Sequence, residues 1–142
     1  MTRVDFYILQ DVELDAMHRF ACRLASKAMS NGNEIYIHAA DDAAAKSLDD
    51  LLWLYPEQRF VPHGLTADKT SAPIHIGWEE PRQIDDVLIN LSGEVPGFFG
   101  RFDRVAEIVV RATRDAGRDR YKFYRDRGFP LFHHELDDWE AP

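Results

Sequence analysis

The sequence predicts an α/β fold, a single domain with an open, mostly parallel sheet and helices on both faces. Three observations carry this. Short apolar runs rich in β-branched residues alternate with segments of helical period, so that the first 55 residues read strand–helix–strand–helix. Consecutive parallel strands need a crossover of helical length between them, and these segments supply it. The 142 residues fit one domain and leave no room for a second, so residues 1–142 form one unit.

The elements follow in order. Val4–Leu9 (VDFYIL) reads as a buried strand. Met17, Phe20, Ala21, Leu24, Ala25, Ala28 and Met29 recur at helical spacing, and Asn31-Gly32 stops that helix. Glu34–Ala39 is a second strand. Asp41 is placed to cap a helix through Ala44, Leu48, Leu51 and Leu52 to about Leu54, where Pro56 ends it. Arg59–Pro62 is at most an edge strand, because Pro62 lacks an amide donor, and His63 to Pro73 reads as a surface loop. Ile74–Ile76, Val87–Leu91 and Val105–Val110 are further strands. Pro96, Gly97 and Gly100 bracket an aromatic turn or short helix containing Phe98, Phe99 and Phe102. Thr113–Arg127 is the last helix, closed by Gly128 and followed by Pro130. From about Leu131 an acidic tail carries no clear element. The architecture this describes is Rossmann-like.

Composition narrows the function. Hydrophobic residues make up 45% of the chain, enough for a core without disulfides or a structural metal. The lone cysteine, Cys22, excludes an internal bridge and is read as a small buried hydrophobe rather than a nucleophile. The first apolar run is too short for a signal segment and nothing later has the length of a membrane span, so a cytoplasmic protein is expected. A formal charge of −8 argues against sequence-independent binding to nucleic acid.

The loop after the first strand is where open α/β folds cradle phosphate. Here it is Gln10-Asp11-Val12-Glu13-Leu14-Asp15, with three carboxylates and no glycine, and no dinucleotide or P-loop motif occurs elsewhere. No nucleotide cofactor is expected. His133-His134-Glu135 with Asp137 and Asp138 is read as a solvated cluster rather than a metal site, since adjacent histidines do not share a face of a helix or strand. His38, within a strand, is read as a hydrogen-bonded core residue. No catalytic set is apparent, and no enzymatic activity is expected of the chain by itself.

Two features remain. Leu51-Leu52-Trp53-Leu54-Tyr55-Pro56 followed by Phe60-Val61-Pro62-His63 places aromatics at a helix end beside an edge segment. Core packing and a partner-binding hot spot account for it equally well. The last helix is the second. From Arg111 to Arg127 seven basic residues face three acidic ones, so this segment is +4 and the rest of the chain −12. Arg111, Arg114, Arg118, Lys122 and Arg125 fall on one stripe at 100° per residue, flanked by Tyr121 and Tyr124. An ordinary solvated helix face is the alternative. A compact basic patch on an acidic protein suits an acidic peptide or a carboxylate better than a long nucleic-acid backbone.

In VDFYIL, DDLLWLYPEQRFVPHGL, DVLINLS and GRDRYKFYRDRGFPL, taken in order across nearly the whole chain, the sequence resembles the chi subunit of the bacterial DNA polymerase III holoenzyme. The resemblance implies a non-catalytic adaptor of the clamp loader without a nucleotide site. It implies that Trp53, Phe60 and Pro62 belong to a surface for the psi subunit. It also implies a site for the acidic C-terminal tail of single-stranded DNA-binding protein. There Arg118 would meet the terminal carboxylate, Tyr121 and Val109 the apolar end, and Arg114 the acidic residues, with Lys122 and Arg125 extending the field. DNA would then be reached only indirectly; a direct single-stranded nucleic-acid-binding module is the competing reading, opposed by the −12 outside the last helix.

Overall fold

A computed structural model describes residues 1–54, 62–66, 72–82 and 86–140. Seven strands form one sheet: β1 (Arg3–Leu9), β2 (Ile35–His38), β3 (His63–Leu65), β4 (Ile74–Gly77), β5 (Val87–Asn90), β6 (Arg104–Val109) and β7 (Leu131–Leu136). Their order is β3-β4-β2-β5-β6-β1-β7, and every pairing is parallel. The helices are α1 (Leu14–Ser30), α2 (Asp42–Leu54) and α3 (Arg114–Asp126).

Local chemistry sets the boundaries as expected at three points. The Asp41 carboxylate accepts the Ala44 amide at 2.8 Å and so caps α2. Gly32 (φ +88°) and Gly128 (φ +77°) take the left-handed conformations just beyond α1 and α3. The expected open parallel sheet is present, and among the described strands every pairing is parallel. Three local expectations need correction. A short strand, His63–Leu65, lies where a loop was expected, while Arg59 to Val61 of the proposed edge strand lie outside the described residues. The last helix begins as a 3-10 turn at Arg111–Thr113 and becomes α-helical only from Arg114. The acidic tail also acquires structure, because Leu131–Leu136 adds β7 to the free edge of β1.

The sheet separates two cores. On one face α1 and α2 bury Phe20, Ala21, Ala25, Leu48 and Leu52 against Ile35, Ile37, Ile76, Ile89 and Ile108. On the other, α3 and the turn around Phe99 pack Phe98, Phe99, Phe102 and Tyr124 on Val4, Phe6, Leu88 and Val105. This strand-by-strand alternation lets a parallel sheet be buried on both sides.

Two buried carboxylates hold distant elements together. Glu107, wholly buried on β6, accepts hydrogen bonds from Arg120 Nε (2.8 Å), Tyr124 Oη (2.7 Å) and Asn90 Nδ2 (2.8 Å). Burial pushes its carboxyl upward, and the Arg120 charge and the hydrogen bonds from Asn90, Tyr124 and Arg120 pull against that. All three partners donate, so the oxygens are met as acceptors. The cluster fastens α3 to β6 and β5. Asp5 on β1 is the second centre, accepting from Arg3 of its own strand, Arg104 of β6 (3.2 Å) and His134 of β7 (3.0 Å). Burial would raise the Asp5 carboxyl, but the hydrogen bonds from Arg3, His134 and Arg104 outweigh it and hold the group below its ordinary 3.8.

Glu107→Leu leaves Arg120 buried without its counter-charge and is expected to cost about 3–5 kcal/mol, read as a lowered urea midpoint; an unchanged midpoint contradicts this role. The pH dependence has two windows on the acid side. Burial lowers His18 and His38 below their ordinary 6.5, so the folded state binds these protons more weakly than the unfolded chain, and stability falls as the pH drops below that value. Asp5, depressed when folded, contributes stability that is present above pH 3.8 and lost as the pH falls through its lower folded value. The difference in melting temperature between wild type and Asp5→Asn should therefore be full at neutral pH and shrink below pH 3.8.

Candidate functional site

The basic stripe is built from β6 upward. After Val109 the chain turns at Val110, whose amide and carbonyl both meet the Thr113 hydroxyl at 3.1 Å. The Arg111 and Ala112 amides donate to the carbonyls of Asp11 and Val12. The start of α3 is thus tied to the β1–α1 loop. The Asp11 carboxylate in that loop accepts the Trp139 indole N–H at 2.9 Å.

One turn into α3, Gly117 lies directly over Val109. A Cβ there would come within 2.8 Å of Val109 Cγ2, so only glycine permits this approach of helix to strand. With Arg120 and Tyr124 of the Glu107 cluster one and two turns along, the close contact fixes which side of α3 faces out. Arg114, Arg118, Lys122 and Arg125 are exposed, and the Arg118 side chain retains 74% of its accessible surface. Arg118 lies 3.7 Å from Asp115, and Arg125 pairs with Asp126 at 3.2 Å. Among the described residues no hydrogen bond or ion pair engages Arg114 or Lys122. Arg111 stands apart in the 3-10 turn, its guanidinium donating to Gln10.

Tyr121 is half-buried, its ring edge-on to Phe6 at 5.3 Å, and it joins the same apolar cluster as Val109. Val109 itself is only 6% exposed. The arrangement sets an exposed guanidinium one turn from a seated aromatic ring, the pair of groups that a carboxylate with an apolar neighbour requires. Arg120 differs from the other basic residues of this helix, because it turns inward to Glu107 and is neutralised there. Of the +4 read from the segment, +3 therefore lies on exposed faces. Gly117 and the Glu107–Arg120 pair are missed by reading for charge. The signals were a glycine inside a helix and one acid within the strand VAEIVV.

The second candidate surface lies at the opposite side of the sheet, beside the edge strand β3. Trp53 is 58% and Leu54 74% exposed at the end of α2. The Trp53 ring lies 4.7 Å from that of His63. His63 is buried, with its Nε2 3.0 Å from the Asp49 carbonyl and 3.3 Å from the Asp49 carboxylate. Pro62 is half-buried, and Phe60 lies outside the described residues. Trp53 and Leu54 are thus large apolar side chains exposed at a helix end next to a sheet edge.

Other candidates resolve as structural. Cys22 is fully buried, which pushes its thiol up to about 12. His38 is buried beside Tyr36 and Phe98. His133 and His134 occupy successive positions of β7 and so point to opposite faces. His134 stacks on Tyr7 at 4.9 Å and donates to Asp5. Among the described residues no helix is long and apolar enough to cross a membrane.

Residues 1–132 match the family described as DNA polymerase III chi subunit, HolC. The chain is 45% identical over 139 residues to DNA polymerase III subunit chi of Pseudomonas aeruginosa, covering 96% of this chain and 98% of the relative. It is 33% identical to the subunit of Haemophilus influenzae over 132 residues (89% and 92% covered). It is 32% identical to that of Escherichia coli over 141 residues (92% and 96% covered). With matches of this extent behind a sheet, a basic helix and an exposed aromatic edge, the chain belongs to the DNA polymerase III chi subunit family.

Proposed function

We propose that the chain works as a non-catalytic adaptor of the DNA polymerase III clamp loader. It would hold the psi subunit on the Trp53 surface and the C-terminal tail of single-stranded DNA-binding protein on α3. The observation that carries this is the exposed stripe Arg114, Arg118 and Lys122 beside half-buried Tyr121, on a protein of net charge −8. Arg118 receives the terminal carboxylate as a fork of donors. Tyr121 takes the apolar end, with Val109, nearly buried, backing it in the same cluster rather than touching the ligand broadly. Arg114 takes the upstream acids, and Lys122 and Arg125 act at longer range, speeding encounter more than they hold the complex. A contact of about −8 kcal/mol, micromolar in affinity, becomes useful when several tails are presented together.

Direct binding of single-stranded DNA is the weaker reading. Base stacking needs free aromatic faces along a basic groove. Tyr121 is turned edge-on to Phe6, and Phe123 is covered by the Arg127 guanidinium at 3.6 Å.

Titration with a fluorescent peptide that ends in an acidic run and a Phe carboxylate tests the α3 site. Arg118→Ala is expected to lower affinity at least tenfold with the fold and psi binding intact, and amidation of the peptide should do the same. Equal binding in either case contradicts the assignment. Gly117→Ala should also weaken the peptide several-fold, because the new Cβ displaces α3 from Val109. At the other surface, Trp53→Ala is expected to cost about 2 kcal/mol or more of psi binding while leaving the melting temperature of the isolated protein within a few degrees. A variant that binds psi normally overturns that assignment.

A further inference from the structure

We propose that the cleft between the second half of α1 and strands β1 and β6 docks a short, extended acidic peptide that carries an apolar side chain. The cleft has a volume of about 1090 Å³ and lies on the sheet face opposite α3. It runs along α1 from Phe20 to Ser30. That distance is about 15 Å at the helical rise, the span of about four to five extended residues.

The charges are one-sided. Arg23 and Lys27, one turn apart on α1, and Arg104 across the cleft on β6 line it, while Asp5 is the one carboxylate among the lining residues. Both Asp5 oxygens are already engaged by Arg3, Arg104 and His134. With Arg104 paired to Asp5, Arg23 and Lys27 leave the lining a net charge of +2, which attracts an anionic partner. Between the cations the partly buried Tyr7, Leu24 and Leu136 offer apolar contact.

The chain's own end shows what this surface accepts. Beyond β7 the segment Asp137-Asp138-Trp139-Glu140 turns back over α1. The Trp139 ring packs edge-on to Phe20 at 5.3 Å, its carbonyl accepts from Arg23 at 2.7 Å, and Glu140 receives both the Nε and Nη2 of Arg19 at 3.0 Å. An acidic segment with one large ring thus already occupies the N-terminal half of this helix face, and Trp139 forms the end wall of the open part. A second segment of the same chemistry continues the line toward Lys27 and Arg104. This inference does not rest on the α3 reading, from which it is separated by the whole thickness of the sheet.

The test is a titration of the full chain with acetyl-Asp-Asp-Leu-Phe-Glu-amide, followed by backbone amide chemical shifts. The amide cap removes the terminal carboxylate that the α3 site requires. Saturable shifts are expected at Leu24, Lys27 and Leu136. Lys27→Glu, at an exposed position, should weaken binding at least tenfold, Arg104→Gln several-fold, and Arg118→Glu not at all. Absence of saturable shifts, shifts centred on Tyr121 with loss in Arg118→Glu, or an unaffected Lys27→Glu would each overturn the proposal. Equal displacement by millimolar inorganic phosphate would do so too, by reducing the cleft to a simple anion site.

Discussion

The wholly buried carboxylate of Glu107 is the constraint on which the arrangement of this protein depends. Removing a charge from water is costly, and the sheet interior offers no solvent to compensate it. Its partners must therefore come from elsewhere in the fold. Arg120 and Tyr124, one turn apart on α3, and Asn90 on the neighbouring strand supply them. Arg120 also reaches the Gly93 carbonyl, and Asn90 the Glu94 carbonyl, so the loop after β5 is drawn into the same network. Satisfying the acid fixes the rotation of α3 about its axis. Once Arg120 and Tyr124 face inward, Arg114, Arg118 and Lys122 have no direction left but outward. Gly117 sets the depth of the same helix by its contact with Val109.

Asp5 plays the parallel role at the sheet's other side. It binds β7 to β1 through His134 and ties both to β6 through Arg104. Arg3 adds a cation over the Phe132 ring at 4.0 Å on the outer strand. These contacts give a polar C-terminal segment a place in the sheet and carry the chain back across α1. The fold thus keeps the three proposed binding surfaces apart. The basic helix lies on one face, the cationic cleft on the other, and the exposed Trp53 and Leu54 at the far edge beside β3. Such separation would let the proposed adaptor hold more than one partner at once.

What the sequence disclosed follows from how local each signal was. The central strands are continuous apolar runs because both faces are covered, and the helix ends are written in Asp41, Asn31-Gly32 and Gly128. The β7 strand was illegible because LFHHEL has no apolar run and its pairing depends on Asp5, more than a hundred residues away. The three residues of β3 are too few to show a period. Arg120 looked like one more surface cation, since its partner lies on a different element and only the packed fold joins them. The exposure of Trp53 was likewise undecidable from composition, because a core helix end and a docking surface use the same residues. The motif resemblance implies which surfaces would bind partners, and the physical account explains how those surfaces are held in place.

The central claim is that the Glu107 cluster and Gly117 together present Arg118 and Tyr121 as one receptor for a C-terminal carboxylate. A crystal structure of the chain bound to a peptide with an acidic run and a terminal Phe tests it most directly. The account predicts both carboxylate oxygens within hydrogen-bonding distance of the Arg118 guanidinium, the Phe ring against Tyr121, and Glu107 still held by Arg120 and Tyr124. A peptide seated elsewhere, or seated here with Arg118 turned away from its terminus, would contradict it.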